Sequence, residues 1–311
     1  MIRRMRLWLG LLLAGVIAIA AAPAQACGCG MALEATVTRE RALVVDTPGK
    51  EQIVLSLDLR SDGAGRSAIV LPVPADPQVT AIGQGDPLQY LDVATAPKAA
   101  AGGGDEGVAG AAPGRGVDVI GRDQIGGYDV SRLRADDAGA LDDWLDENGY
   151  TLPDGAEPIL DDYVDEGWRY VAVQLAANSS GTLKPLAVSF DTDDPVYPMR
   201  LTQLATDPVD ITLYTLASGR RSVDGLDEAY AGPVAELDPA PPPELTSLFA
   251  EGTYVTKLTA FGTSPDRFTS DFEIRGGSGT AASGGGSPGW GAPIAVLAAL
   301  LGFGLLAFSR R

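Results

Sequence analysis

Two apolar stretches without charge, one at each end of the chain, leave only the residues between them to form a water-soluble domain. At the amino end, three arginines precede the apolar stretch Leu7–Ala22, and small residues stand at Ala24 and Ala26. This order of a basic, an apolar and a small-residue region is typical of a secretory signal peptide, so we predict that residues 1–26 are removed on export. Lipidation of Cys27 is the alternative, although the residues before the cleavage point fit a lipoprotein signal poorly.

The carboxyl end predicts a membrane anchor. Trp290–Phe308 carries no charged side chain, and as a helix it would be about 28 Å long, close to the hydrocarbon thickness of a bilayer. We predict a transmembrane helix over residues 290–309, with Arg310 and Arg311 as a cytoplasmic stop. The Gly/Ser-rich residues 276–289 predict a flexible linker, which argues against a helix buried in the domain. A sorting tail that is cleaved is the alternative, but the sequence has no LPxTG motif.

The charge of the central part limits its partners and its chemistry. All 41 acidic residues lie between the two ends, whereas five of the 23 basic residues belong to the ends. The domain predicted over residues 27–275 is therefore strongly acidic, which argues against a nucleic-acid partner. The chain contains no histidine, which excludes Ser-His-Asp triads, Cys-His pairs and histidine-ligated metals.

The only two cysteines, Cys27 and Cys29, stand at the predicted mature amino terminus. An exported protein can keep disulfides, but a bridge between residues two apart closes a very small and strained ring. The pair is a candidate local disulfide, an intermolecular link, or a thiol site for redox chemistry or a soft metal.

Period-two alternation predicts most of the regular structure. In Glu51–Arg60, the residues Ile53, Leu55 and Leu57 fall on one face, which indicates a half-buried strand that pairs with Ala42–Asp46. We predict further strands at the ranges 67–73, 168–176, 183–190, 199–204 and 211–217, and a hairpin formed by 254–261 and 267–275.

Helical spacing of apolar residues predicts two short helices, Asp137–Asn148 and Pro158–Glu166, and a third is expected at Pro243–Glu251. Because strands are grouped rather than alternating with long helices, the expected fold class is α+β, with mostly antiparallel sheets and two or three short helices. Residues 93–116 are mostly Ala, Gly and Pro and are predicted to be a disordered loop. Trp144 and Trp168 are expected to be core residues rather than a platform for a sugar.

The clusters of acidic residues are the best candidates for a site. The run Asp191–Asp194, with Asp191, Asp193 and Asp194, is a candidate calcium loop, because calcium binds oxygen ligands and extracellular sites can be weak. No EF-hand pattern is present, and the carboxylates of the two helices fall opposite the apolar stripe, as on a solvated face. We expect no other cofactor and identify no catalytic residue.

Several segments together resemble a bacterial family known as Domain of unknown function 2330. They are CGCG at Cys27–Gly30, LPVPADPQV at Leu71–Val79, IGGYDVSRLRADDAGALDDWLDENGY at Ile125–Tyr150, the Tyr163–Val171 stretch and VYPMRLT at Val196–Thr202. The resemblance spans most of the central domain and implies an exported, often anchored protein of unassigned activity. It supplies no catalytic residues.

Two functional hypotheses follow from the sequence. The first is an envelope-anchored binding or structural module, displayed outside the cytoplasm, with an envelope protein or polysaccharide as its partner. The second is a cell-wall or glycan hydrolase that uses Asp and Glu, which requires two carboxylates facing each other across a cleft.

Overall fold

The computed structural model describes residues 25–27, 30–61, 66–97, 118–175, 181–182 and 184–277. Eighteen strands are assigned within these residues: β1 Gln25–Cys27, β2 Gly30–Leu33, β3 Ala35–Thr47, β4 Lys50–Ser61, β5 Ala68–Val73, β6 Gln78–Ala81, β7 Asp118–Ile125, β8 Tyr128–Arg134, β9 Arg169–Gln174, β10 Gly181–Thr182, β11 Leu186–Asp191, β12 Val196–Tyr197, β13 Val209–Ala217, β14 Arg221–Ser222, β15 Asp227–Pro233, β16 Tyr254–Thr263, β17 Phe272–Glu273 and β18 Arg275–Gly276.

The same residues contain four α-helices and four short 3-10 helices. The α-helices are α1 Pro87–Ala94, α2 Ala138–Glu147, α3 Ala156–Asp165 and α4 Thr246–Phe249; the 3-10 helices are Arg200–Leu204, Val234–Glu236, Pro243–Leu245 and Pro265–Arg267.

Two large sheets contain most of the strands. The first sheet has the order β1-β2-β5-β9-β8-β7 and is antiparallel throughout. The second has the order β15-β16-β13-β3-β4-β11-β6, and β10 also pairs with β4. Its only parallel pair in the described residues joins β13 to β3. The mostly antiparallel α+β class is thus confirmed, with four helices instead of two or three.

The two sheets pack face to face over a shared apolar core. From the first sheet it takes residues such as Leu71 and Val171, and from the second Val44, Ile53 and Leu213, all at most 1% exposed. Burying this apolar area is what stabilises the pair of sheets, at about 25 cal/mol per Å².

Helices cover the outer face of each sheet. Trp144 of α2 and Tyr163 of α3 are buried against the first sheet, together with Tyr170 of β9. Leu88 and Leu91 of α1, with Phe249 of α4, are buried against the second sheet. The result is a four-layered sandwich of helices, sheet, sheet and helices. Because the second sheet is covered on both sides, β4 is buried on both faces. The prediction that this strand is half-buried was therefore wrong.

The helices α2 and α3 confirm the two predicted helical segments. Asp137 caps α2, since its Oδ1 accepts a hydrogen bond from the Ala140 N–H at 2.7 Å, and Asp161 of α3 accepts one from the Ala138 N–H at 3.0 Å. Helix α3 begins two residues earlier than expected, which leaves Pro158 within its first turn, where proline is tolerated.

Two predicted strands are wrong. Residues 200–204 form a 3-10 helix, not a strand. The predicted hairpin of 254–261 with 267–275 is absent, because β17 pairs with β12 and β18 pairs with β14, while β16 lies between β13 and β15. The third helix is also shorter than expected: only Thr246–Phe249 is α-helical, and Pro243–Leu245 before it is a 3-10 turn.

Several predicted segments lie outside the described residues. These are residues 1–24 of the predicted signal peptide, Cys29, residues 278–289 of the predicted linker, and the anchor. The last two residues of the predicted signal peptide, Gln25 and Ala26, belong to β1. Of the predicted loop 93–116, Val93 and Ala94 belong to α1, so that prediction began too early, and residues 98–116 are not described. No helix in the described ranges is long and apolar enough to cross a membrane.

Candidate functional site

A cleft of about 620 Å³ opens where β16 extends beyond its neighbour β15. One wall is the end of β16, from Ala260 to Thr263, and another is the turn at Val223–Leu226 that leads into β15. The third wall is the segment that runs from Ser264 to Arg275 after β16. The cleft therefore lies at the rim of the second sheet, and core residues such as Ile211 and Phe268 line it.

Three phenylalanines line this cleft, and they differ in exposure. Phe268 is buried in the core between the sheets, and Phe272 packs against that core and meets Phe268 edge to face, with ring centroids 6.1 Å apart. Phe261 is 71% exposed, more than the other exposed large apolar residues of the described structure, Val93 and Ile120. The first two rings hold the wall in place, whereas the Phe261 ring is available to a ligand.

Arginines and carboxylates form the polar part of the cleft. Arg275 pairs with Asp224 and with Glu273, and all three side chains are more than half exposed. Arg267 also lines the cleft, is exposed, and makes no ion pair in the part of the chain that the structure describes. Among the described residues, the lining of the cleft thus includes a cation without an ion pair, Arg267, and an exposed aromatic ring, Phe261.

Asp271 joins the cleft wall to the helical layer over the first sheet. Its Oδ1 accepts hydrogen bonds from the Tyr163 hydroxyl at 2.6 Å and from the backbone N–H groups of Met199 at 2.7 Å and Arg200 at 3.2 Å. Its Oδ2 accepts one from Arg200 Nε at 2.9 Å. The side chains of Asp271 and Arg200 are only 10% and 11% exposed. With four donors, this carboxylate is fully engaged and serves to position the wall.

Arg200 extends the same network toward α3. Its two terminal nitrogens donate to Glu166 at 2.7 and 2.6 Å, and its guanidinium lies 3.8 Å from the centre of the Tyr163 ring and 5.6 Å from that of Trp168. Burial followed by the charge of Asp271 raises the pKa of Tyr163 well above its usual value. Burial alone would lower the pKa of Arg200, but the bonds to Glu166 and the charge of Asp271 raise it. Tyr163 therefore stays neutral and Arg200 stays charged.

The carboxylates of the cleft do not match the pair that a glycosidase needs. Such an enzyme requires one acid with a raised pKa opposite an ionised partner. Asp224 and Glu273 share Arg275, and Asp271 is saturated. In the described residues the acids with a raised pKa are Glu51 and Asp142, and neither lines the cleft.

Glu51 is a feature that the sequence analysis missed. It is 0% exposed on the strand face that also carries Ile53, between the two sheets. Its Oε2 accepts a hydrogen bond from the Val196 N–H at 2.9 Å, and its Oε1 has no partner in the described structure. Val196 starts β12, whose partner β17 forms part of the cleft wall. Glu51 thus holds β12, which pairs with the cleft strand β17, but it does not line the cleft itself.

The structure places the residues of the calcium hypothesis on an exposed turn. Asp191 ends β11, and Asp193 and Asp194 follow it, all three exposed. The turn is held by Thr192, whose Oγ1 accepts a hydrogen bond from the Asp194 N–H at 3.1 Å. In the ranges that the structure describes, no three acidic, cysteine or histidine side chains are grouped to hold a metal ion. The calcium hypothesis gains no support here and stays a prediction.

Of the two cysteines, the structure describes only Cys27. Cys27 ends β1 and pairs through its backbone with Gly30 of β2, but Cys29 lies outside the described residues. The state of the two thiols therefore stays a prediction as well.

Taken as a whole, the described residues define an acidic, four-layered α+β sandwich, with an open cleft of mixed aromatic and polar lining at the rim of the second sheet. The chain belongs to a family described as "Uncharacterized protein conserved in bacteria (DUF2330)", which matches residues 23–275. The expected family is thereby confirmed. No curated protein and no solved structure matches the chain.

Proposed function

We propose that the protein is a binding module anchored in the cell envelope, which uses the cleft beside β16 to hold a ligand outside the cytoplasm. The single observation that carries the proposal is the Phe261 ring, 71% exposed inside a cleft of about 620 Å³. Exposed aromatic rings in concave sites are frequent anchors of bound ligands. The sequence supports the location, since the domain stands between a predicted signal peptide and a predicted anchor.

The binding role can be tested by changing the exposed ring. We expect Phe261→Ser to weaken retention of the full-length protein on an immobilised envelope fraction of its own bacterium by about tenfold, as for an interface anchor. Stability should change by less than about 0.5 kcal/mol, because the ring is on the surface.

The matched control is Val93→Ser. Val93 is also an exposed apolar residue, at 54%, but it lies on α1, which does not line the cleft. The control should be retained like the parent. Equal retention of the parent and Phe261→Ser would contradict the proposal.

The location has its own test. If the chain is anchored by residues 290–309, protease added to intact spheroplasts should digest the domain over residues 27–275 and spare a short membrane fragment. A protein carrying an epitope after Arg311 would report that fragment. A domain that resists protease until the cells are lysed would show that it faces the cytoplasm.

A further inference from the structure

The walls of the cleft point to a particular kind of ligand. We propose that the cleft binds an extended segment of another envelope protein, which pairs with the open edge of β16. The inference rests on the proposed function, because it assigns a ligand to the same cleft.

The strand β16 is longer than the partner on its outer side. The last pair between β15 and β16 is Asp227 with Thr259, whereas β16 continues to Thr263. On the inner side, β13 follows this extension as far as the pair of Val209 with Thr263, with a bulge between Ala260 and Thr263. At the bulge the Gly262 N–H donates to Asp210 Oδ1 of β13 at 2.8 Å. The extension therefore has a partner strand on one side only, and its other side faces the cleft.

An unpaired strand edge presents backbone N–H and C=O groups that a polypeptide can use. Such groups bind an added strand through main-chain hydrogen bonds, and side-chain contacts then provide selectivity. The neighbouring chain does not pair with this edge, because Val223–Leu226 forms a turn before β15 starts, with the Leu226 N–H bonded to the Val223 carbonyl at 3.3 Å and the Val223 side chain buried in the core. If fully extended, the four residues from Ala260 to Thr263 would span roughly 13 Å. The bulge with Gly262 at φ +60° bends and shortens this stretch, so the free edge is shorter than that.

The side chains around the edge indicate what the added segment carries. Successive residues of a strand face opposite sides, so the ligand residue that lies beside Phe261 on the same face can contact its ring, which favours an apolar residue at that position. Arg267 stands in the cleft without an ion pair in the described structure. An acidic side chain or a terminal carboxylate at the end of the segment would satisfy it.

The test compares three preparations of the envelope fraction, each immobilised: untreated, digested with a protease that is then inactivated, and oxidised with periodate to destroy sugars. We expect retention of the full-length protein to fall at least tenfold on the digested fraction and to persist on the oxidised one. Arg267→Gln should weaken retention several-fold and reduce its dependence on salt. Asp266→Asn, an exposed neighbour that does not line the cleft, is the control and should change neither.

Strand pairing has a direct signature in backbone amide exchange. In protein mixed with the detergent-solubilised envelope fraction, the amides of Phe261 and Thr263 should exchange at least tenfold more slowly, while those of Val255–Leu258, already paired on both sides, should not change. Retention that survives protease but not periodate would make the ligand a glycan, which overturns this inference and leaves the binding module standing. Retention without protection of the two amides would also overturn it. No retention on the untreated fraction would contradict the proposed function itself.

Discussion

Replacing Glu51 by glutamine is expected to stabilise the folded protein at neutral and alkaline pH. Burial, opposed in part by the Val196 N–H and reinforced by the charge of Asp46, raises the pKa of Glu51 from 4.5 to about 8. Asp46 in turn pairs with Arg221 at 2.7 Å. At neutral pH the side chain is therefore a buried neutral acid, and glutamine has nearly the same shape without the proton to lose.

The sign of the pH dependence follows from the direction of this shift. Between about pH 4.5 and 8 the folded state keeps a proton that the unfolded state has released, so the free energy of unfolding falls as the pH rises through this window. At about 1.4 kcal/mol per pKa unit, the loss across the window is on the order of 4 kcal/mol. The Glu51→Gln variant should lack this slope, so its advantage over the parent should be small near pH 4.5 and largest above pH 8.

Denaturant unfolding of both proteins at a series of pH values measures the effect. Glu273→Gln is the matched control, since Glu273 stands opposite Val196 in the β12–β17 pair but its side chain is 70% exposed. That variant should keep the slope of the parent. Parallel stability profiles for the parent and Glu51→Gln would show that Glu51 does not titrate as its burial requires.

The alternation of apolar residues in β4 already indicated that the side chain of Glu51 is buried, although the sequence analysis did not use it. In a strand, Glu51 lies on the same face as Ile53, Leu55 and Leu57, which was the face predicted to be buried. The acidic side chain therefore stands at the end of an apolar face. A strand end is usually solvated, and nothing in the sequence indicates that β12 and β17 would cover this one. The burial of Glu51 thus depends on contacts with residues more than 140 positions away.

The predicted parts of the fold are those that local patterns determine. The apolar stripes of α2 and α3 and the alternation in β4 depend on neighbouring residues, and they were found. The second covered face of β4 was missed, although the adjacent apolar residues Ile53 and Val54 are typical of a strand buried on both sides. The parallel pair of β3 with β13 joins segments far apart in the chain, which no local pattern specifies.

The failed hairpin shows why the cleft could not be predicted. Phe268, Phe272 and Ile274 alternate as in a strand, but alternation does not identify the partner strand. In the structure Phe268 and Ile274 enter the core, and only two residues of this segment pair with β12. Because the segment leaves β16 instead of folding back on it, a cleft opens and Phe261 is exposed in it.

Truncating Trp144 to alanine is expected to cost about 3–5 kcal/mol of folding free energy, a large part of the net stability of a domain. Trp144 is 0% exposed in the layer between α2 and the first sheet, together with Leu141 and Tyr170. The surrounding side chains cannot close a cavity of that size without moving β-strands that are paired on both sides.

Trp144→Phe separates the loss of volume from the loss of the indole N–H. The Trp144 Nε1 is buried and has no hydrogen-bond partner in the described structure. Phenylalanine removes this unsatisfied donor, which offsets part of the stability lost because its ring is smaller. We therefore expect the phenylalanine variant to lie much closer to the parent than to the alanine variant in denaturant unfolding. The competing view, in which Trp144 stacks on a sugar, predicts the reverse pattern: both variants would unfold like the parent, and both would lose retention on the envelope fraction. Because the ring is buried between α2 and the first sheet, Trp144→Ala should lose retention only to the extent that it unfolds. Measuring retention and the folded fraction of this variant at increasing denaturant concentration decides between these views.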